Sequence, residues 1–293
     1  MGGFGLSLLA LGTAALCVFA LRQAPAPAAA ESKLNVAKTT PTKAPVATPS
    51  PTATPDAQPT PILGGPLVTG ALADNFGTTT AWATNGGNCE SDASELYWGG
   101  ARVTTPAVHV MRVKLTGVKA GWVVAAGDTC TPLLYSTNNA GKTWTAGTPI
   151  DSTWFLSGDQ IHAPGAAGTQ PCTAPVGLAV ATKAAAVSWC MDGLRSTADG
   201  GKTWKPMQAV MGEIVAVELL RAGEPRVAAR NIVGCGGVAI LAPAPMHWKT
   251  IGCIKTQSVG AAALTYDGVR ASLVLGQEQW TSGDGGKTWK AAS

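Results

Sequence analysis

Six cysteines carry the clearest chemistry in this chain of 293 residues. A seventh, Cys17, lies in an apolar N-terminal run, and the six that follow it are Cys89, Cys130, Cys172, Cys190, Cys235 and Cys253. An even number of cysteines in an exported domain predicts disulfides. The preferred pairs among the 15 possible connectivities are Cys172–Cys190, Cys235–Cys253 and Cys89–Cys130. Zinc is disfavoured, because there is no C-x-x-C pair and the three histidines are scattered. We therefore expect neither a metal nor a cofactor.

Three octapeptides form the second recurring pattern. The segments 137–144, 197–204 and 282–289 all fit [S/T]-x-[D/N]-x-G-x-T-W. In such a segment the Asp or Asn accepts hydrogen bonds from the following backbone, the Gly permits a positive φ, and the Trp buries apolar surface. The pattern positions are Thr137, Asn139, Gly141, Thr143, Trp144, Thr197, Asp199, Gly201, Thr203, Trp204, Ser282, Asp284, Gly286, Thr288 and Trp289. We expect structural roles for all of them, because hydrogen bonding, a positive φ and apolar packing are what such a turn needs.

These octapeptides resemble the Asp-box, or BNR repeat, of sialidase-type β-propellers. The resemblance implies a propeller whose boxes lie away from any active site. It covers residues 108–293 well and 64–107 weakly. Non-catalytic relatives of this type include sortilin-type receptors and proteins like the photosystem II assembly factor, and the short blades here look more like the latter. The resemblance transfers a fold and not an activity.

The repeat spacing predicts the architecture. Trp248 marks a degenerate box between the second and third octapeptides, and Trp82 and Trp98 mark a first copy without a box. The predicted fold is all-β, with five four-stranded antiparallel blades at about 64–107, 108–150, 151–210, 211–254 and 255–293. An incomplete ring or a hidden sixth blade is the alternative.

The same strand order assigns features to the two faces of the ring. With strands A to D numbered from the axis outward, the boxes fall in C–D turns, and all six cysteines fall in B–C hairpins or blade crossovers on the opposite face. That cysteine-bearing face also receives the long insert 157–175, with Asp159 and His162. It carries acidic residues that would suit a cation or a basic partner, or would simply be solvated loop charge: Glu90, Asp92, Glu95, Asp128 and Asp192.

The N-terminal region predicts export. Phe4 to Leu21 is uncharged and nearly long enough to span a bilayer, and Ala28 to Ala30 offers a signal-peptidase site. We expect a signal peptide or signal anchor at 1–23, a disordered Pro/Thr/Ala-rich linker at 24–61, and the propeller at 62–293. The positive-inside rule alone would place the domain in the cytoplasm. The extended linker and the cysteines favour an exported domain at the extracellular face of the membrane or in the cell wall, either anchored or secreted.

The composition and the absence of catalytic motifs in the sequence argue against nucleic-acid binding and against several enzyme classes. Only 13% of residues are charged and the net charge is +4, which argues against nucleic-acid binding. The chain lacks the F/Y-R-I-P segment of sialidases, and it contains no G-x-S-x-G, H-E-x-x-H or phosphate loop. We expect no catalytic residues and a binding module for a protein or cell-surface glycan, tethered to the membrane. The alternative is a degenerate or unusual sialidase-like glycoside hydrolase. Two carboxyl groups in a central pocket flanked by aromatics would favour that hydrolase, whereas a plugged apolar axis would disfavour it.

Overall fold

The computed structural model describes residues 71–84, 89, 92–145, 147–150, 152–166 and 168–292. The predicted signal or anchor segment, the predicted linker, the first residues of the predicted domain (62–70) and Glu90 lie outside these ranges. The described residues form strands, turns and loops. No helix among them is long and apolar enough to cross a membrane.

Short strands arise where apolar residues alternate with smaller or polar ones between Gly-rich turns. The first sheet contains β1 (Leu72–Phe76), β2 (Thr79–Ala83), β3 (Leu96–Trp98) and β4 (Ala101–Val103). The second contains β5 (His109–Leu115), β6 (Gly121–Ala126) and β7 (Pro132–Thr137). A separate hairpin follows, made of β8 (Phe155–Ser157) and β9 (Gln160–His162).

Three further four-stranded sheets complete the chain. They comprise β10 (Pro175–Val180), β11 (Ala186–Cys190), β12 (Gly193–Thr197) and β13 (Lys205–Pro206). Next come β14 (Glu213–Leu219), β15 (Pro225–Arg230), β16 (Val238–Pro243) and β17 (Trp248–Ile254). The last sheet contains β18 (Ala262–Asp267), β19 (Arg270–Leu275), β20 (Glu278–Ser282) and β21 (Lys290–Ala291). Every pairing within these sheets is antiparallel.

The five sheets are the blades of a β-propeller, as the sequence predicts. The first strand of each sheet is its innermost strand, and β1 packs against both β5 and β18. Strand β14 likewise packs against β10 and β18. In blade 2 an isolated bridge between Leu134 and Thr148 stands where a fourth strand would lie. The contacts between these innermost strands link blades 3, 4, 5, 1 and 2 in that order around the axis.

The predicted third blade, 151–210, is wrong in extent. Its first part forms the β8–β9 hairpin, and β8 packs between β5 of blade 2 and β10 of blade 3. Trp154, just before β8, is 2% exposed, and its indole nitrogen donates to the carbonyls of Thr182 (3.0 Å) and Lys183 (3.2 Å). Its ring also meets Trp204 edge to face, at 6.1 Å between centroids. A two-stranded wedge built around one tryptophan thus fills the position that a sixth blade would take.

Polar side chains close the ring between blades 5 and 1. The hydroxyls of Thr80 and Ser272 are 3.0 Å apart, and the Thr265 hydroxyl donates to Asn75 Oδ1 at 2.9 Å. All four residues are buried. Within the described residues each blade is made of consecutive strands, and these side-chain bonds hold the seam.

Candidate functional site

The second octapeptide shows how the box turns are built. The Thr197 hydroxyl donates to Asp199 Oδ1 (2.8 Å) and accepts from the backbone nitrogen of Gly201 (3.1 Å). Thr203 donates to Asp199 twice, through its backbone nitrogen (3.0 Å) and its hydroxyl (2.6 Å). These bonds to the ionised carboxylate lower the pKa of Asp199 to about 2. The carboxylate is therefore occupied by its own turn.

The third octapeptide repeats this network. Gly286 donates its backbone N–H to the Ser282 hydroxyl at 3.0 Å. Thr288 donates to Asp284 through its backbone nitrogen (2.9 Å) and its hydroxyl (2.6 Å). These bonds hold the pKa of Asp284 well below its usual range. The carboxylate of the third box is thus as fully engaged as that of the second.

The first octapeptide carries an amide in place of the carboxylate. Gly141 donates to the Thr137 hydroxyl at 3.1 Å, and Thr143 donates its N–H to Asn139 Oδ1 at 3.0 Å. Asn139 Nδ2 then donates to the Thr143 hydroxyl at 2.7 Å, which reverses the direction of that bond. The turn geometry is therefore compatible with either side chain.

Two of the three box tryptophans bond to segments outside their own turn. The indole nitrogen of Trp144 donates to the carbonyl of Thr104 at 2.8 Å, and that of Trp204 contacts the Thr169 hydroxyl at 3.4 Å. Trp289 donates to a carbonyl of its own box at 2.8 Å. The box glycines all have positive φ, at 75°, 83° and 89° for Gly141, Gly201 and Gly286.

Two of the three preferred cysteine pairs are bonded. Disulfides join Cys172 to Cys190 and Cys235 to Cys253, each across a sequence separation of 18. Each bond ties the end or start of a blade to a B–C hairpin on the face opposite the boxes. In the chain-entropy account a loop of this size contributes about 3 kcal/mol to stability.

The third preferred pair, Cys89–Cys130, is not bonded. Cys130 lies on an exposed turn with a φ of 55°, and its thiol interacts with that of Cys89 as a hydrogen-bonding group. Burial, followed by this hydrogen bond, raises the pKa of Cys89 to about 12. A thiol with so high a pKa is a poor thiolate nucleophile, which disfavours disulfide exchange at this position.

Among the described residues, no three acidic side chains of the cysteine-bearing face lie close enough together to share a metal ion. Glu95 pairs with Arg102 at 3.1 Å, and Asp192 pairs with Arg195 at 2.6 Å. Asp92 and Asp128 are exposed on blades 1 and 2. Two of these carboxylates therefore already have a partner within their own blade.

The two singled-out residues of the long insert belong to the wedge. His162 stacks on Phe155 at 4.3 Å, and burial lowers the pKa of its imidazole. Asp159 accepts a hydrogen bond from Gln170 at 3.0 Å. The first contact lies within the β8–β9 hairpin, and the second joins two parts of the insert.

Two adjoining cavities with several charged lining residues lie on the propeller axis. An inner cavity of about 110 Å³ is lined by the innermost strands and by β8. A wider cavity of about 490 Å³ adjoins it, sharing Arg112, Lys114 and Glu218 as lining residues. Most of its other lining residues lie at or just after the C-terminal ends of β1, β5, β10, β14 and β18, and the rest come from β6 and from the segments flanking the β8–β9 hairpin. We call this wider cavity the axial mouth, and it opens on the face that carries the box turns. The cysteine-bearing face, where the sequence placed the candidate loops, is the opposite one.

Asp74 braces blade 1 against blade 2 beside the axial mouth. The residue is 7% exposed, and its Oδ1 accepts from Lys114 Nζ at 3.0 Å while its Oδ2 accepts from the backbone nitrogen of Leu115 at 2.6 Å. Burial raises the pKa of Asp74, and the charge of Lys114 opposes that rise. Both carboxylate oxygens are thus committed to structure.

Arg112 presents a guanidinium to both axial cavities. Its Nη1 donates to the carbonyl of Trp154 at 2.8 Å, and its Cζ lies 5.8 Å from the ring centre of Trp122. Burial lowers the pKa of Arg112, while Asp74 and Glu218 act in the opposite direction. The arginine joins the wedge to blade 2 and keeps a cation on the axis.

Glu218, on β14, is the available carboxyl group of the axis. Burial raises its pKa to about 8, the charge of Asp74 adds to the rise, and Lys114 and Arg112 oppose it. Among the residues that the structure describes, no hydrogen bond or ion pair engages this carboxyl group. The side chain keeps some accessible surface because the cavity is open, although protein surrounds it.

Sequence reasoning did not find this axial cluster. Its signal was an isolated charge inside an otherwise apolar inner strand, as in Leu-Ala-Asp-Asn-Phe for β1 and Glu-Ile-Val-Ala-Val-Glu-Leu for β14. The partners of an ionisable side chain on the axis can be identified only from the order of the blades, because they are far apart in sequence.

The chain was compared with protein families, curated proteins and solved structures. No protein-family model and no curated protein matches the chain. The Niastella koreensis GH74 enzyme aligns over 76% of this chain and 38% of its own, at 13% identity and a TM-score of 0.30. KlHsv2, with loop 6CD replaced by a Gly-Ser linker, aligns over 71% and 76%, at 11% identity and a TM-score of 0.36. The extracellular domain of BT4673 from B. thetaiotaomicron aligns over 76% and 28%, at 8% identity and a TM-score of 0.33.

The chain is a five-bladed β-propeller. The chain spans well under half the length of the GH74 enzyme and of the BT4673 domain.

Proposed function

We propose that this propeller is a non-catalytic binding module of the Asp-box type, exported and tethered to the membrane or cell wall, with a protein or glycan as its partner. The observation that carries the proposal is which of the axial carboxyl groups are already bonded to other protein groups. Asp74 has both oxygens engaged by Lys114 and Leu115. Asp267 accepts from the backbone of Gly77 and lies 3.9 Å from Arg221. Among the described residues, Glu218 is therefore the carboxyl group of the two axial cavities that has no partner. Glycoside hydrolysis by the usual route needs two available carboxyl groups.

The assignment to the Asp-box type is supported by the three turns. Each places a Thr or Ser hydroxyl and an Asp or Asn side chain in the same bonding pattern around a glycine with positive φ. Such a network stabilises a turn and leaves no free carboxylate for a ligand. The boxes therefore serve the scaffold, and binding falls to the cavities and loops.

Export is supported by the two disulfides. Such bonds persist in oxidising compartments and are rare in the cytosol. Protease treatment of intact cells tests this part: the propeller is expected to be degraded from outside and to remain with the membrane or wall fraction. Protection of the domain until the cells are lysed would contradict it.

A hydrolase is the second candidate, and one observation favours it. Glu218 has a pKa raised to about 8 in a cavity bordered by Trp122, Trp154 and Tyr266, and a protonated carboxyl in such a place suits a general acid. The decisive experiment exposes the full chain in detergent to a glycan array and to a panel of fluorogenic glycosides. Binding without turnover is expected. Turnover that disappears in Glu218→Gln would overturn the non-catalytic proposal.

A further inference from the structure

Building on the proposed binding function, we infer that the axial mouth is a site for a small organic carboxylate, held by Arg112 and by a hydrogen bond from Glu218. The site lies on the box-bearing face, opposite the cysteines. Its volume of about 490 Å³ falls within the range of small-molecule sites. Polar and aromatic groups from several blades and from the wedge converge there, as a ligand pocket requires.

The charge balance of the mouth favours an anion. Two of its cations are matched by the protein itself: Lys114 pairs with Asp74 at 3.0 Å, and Arg221 lies 3.9 Å from Asp267. Asp267 also accepts a hydrogen bond from the backbone of blade 1 at the ring seam. In each of these two pairs the positive charge is balanced by a carboxylate of the protein, so neither pair offers a net charge to a ligand.

Two other cations have no carboxylate partner. Arg112 and Lys183 both line the mouth, and neither forms an ion pair within 4.0 Å in the part of the chain that the structure describes. A guanidinium has five N–H donors, and the structure uses Nη1 of Arg112 for the Trp154 carbonyl. The remaining donors suit a carboxylate, whose two oxygens match the planar guanidinium fork.

Glu218 complements this arrangement while it is protonated. With a pKa of about 8, its carboxyl group is mostly neutral near pH 7, and it donates a hydrogen bond without repelling an anion. Above that pH it becomes a negative charge facing the same space. The titratable and charged groups around it are, by element, Asp74 on β1, Arg112 and Lys114 on β5, Lys183 after β10, Arg221 after β14, Arg226 on β15, and Tyr266 and Asp267 at the end of β18.

Glu218 is the group in the mouth whose titration we expect to control anion binding near pH 8. Arg226 is paired with Glu224 at 2.7 Å, and burial raises the pKa of Tyr266 to about 12. Asp74 is a carboxyl group whose pKa is raised from an ordinary value near 4, and its ion pair with Lys114 opposes that rise. We therefore expect anion binding to weaken as the pH rises through about 8.

The first test measures binding by calorimetry on the full chain in detergent at pH 7. The probes are galacturonate, lactate and citrate, with galactose as the neutral match of galacturonate. At least one carboxylate is expected to bind with a Kd in the millimolar range or tighter, and galactose at least about tenfold more weakly than galacturonate. Absence of binding by all three carboxylates overturns the inference.

Variants locate the site. Arg112→Gln is expected to weaken carboxylate binding about tenfold or more, and Lys183→Gln, on the exposed rim, about threefold. Arg102→Gln, which removes an exposed arginine on blade 1, is the matched control and should leave the affinity unchanged. Circular dichroism checks that Arg112→Gln is folded, and Lys183→Gln tests the site independently of it. Equal affinity in Lys183→Gln and the unmodified chain, or equal losses in the Arg102→Gln control, would rule out the mouth.

The pH profile tests Glu218 itself. Between pH 7 and 9 the affinity of the unmodified chain should fall, approaching about tenfold per pH unit above the pKa. Glu218→Gln keeps the shape and a donor but cannot ionise, so its profile should be flat. A decline in the variant equal to that in the unmodified chain would show that another group is responsible.

These outcomes separate the inference from the function beneath it. If carboxylates fail to bind while the glycan array is positive, the inference falls and the binding module stands. If a glycoside is hydrolysed, the non-catalytic proposal falls, whatever the carboxylate measurements show.

Discussion

Replacing Trp154 with alanine tests the wedge that completes the ring. The side chain is 2% exposed, packs against Trp204, and bonds to two carbonyls of blade 3. Truncating a buried Trp to Ala costs about 3–5 kcal/mol, and leaving those carbonyls unpaired adds on the order of 1 kcal/mol. Since domains are stable by about 5–15 kcal/mol, Trp154→Ala should retain a fold with much of its margin gone.

Denaturant titration followed by far-UV circular dichroism measures the loss. We expect the free energy of unfolding to fall by about 5 kcal/mol, equivalent to a decrease in Tm of roughly 10–20 °C for a domain of this size. Trp154→Phe, which keeps a ring but loses the N–H donor, should fall in between. Trp280→Ala removes a half-buried tryptophan of blade 5 and should cost about 1–2 kcal/mol. If Trp154→Ala costs no more than Trp280→Ala, the wedge does not hold the ring as described.

Three further predictions concern the turns and the cysteines. Reducing the folded chain should lower its thermal stability, and Cys235→Ser alone should account for about 3 kcal/mol, as unfolding under matched conditions will show. Cys89 should react with iodoacetamide far more slowly than a free thiol at pH 8, because its pKa is raised to about 12; mass spectrometry that finds rapid labelling would contradict this. Because the pKa of Asp199 is lowered to about 2 in the fold, its contribution to stability is complete above about pH 4 and is lost as the pH falls through 2. Asp199→Asn, which copies the natural Asn139 of the first box, should therefore show a smaller loss of stability between pH 5 and 2 than the unmodified chain.

The sequence predicts the blades because each blade is a local unit. Three box octapeptides, with Trp248 as a degenerate fourth, reveal the repeat, and the antiparallel hairpins between them follow from short apolar runs and Gly-rich turns. The disulfides Cys172–Cys190 and Cys235–Cys253 follow from the same strand order, which places their cysteines on one face.

The wedge and the axial mouth could not be predicted in the same way. The wedge interrupts the repeat, so in the sequence residues 151–210 resemble one long blade. The structure shows instead that β8, which follows Trp154, packs between blade 2 and blade 3. The mouth joins Arg112 to Glu218, more than one hundred residues apart, and neither belongs to a motif. Their proximity depends on which inner strands are neighbours across the axis, which is a property of the closed ring.

The seam between blades 5 and 1 also determines how the ring would carry a mechanical load. The described strands begin with β1, which is the innermost strand of blade 1 and lies directly against β18. Tension applied at the start of β1 would therefore be borne first by the pairing of β1 with β2 and by the hydrogen bonds of the seam. A chain pulled from its N-terminus should yield by opening the ring at this seam, while the disulfide-clasped blades 3 and 4 stay intact.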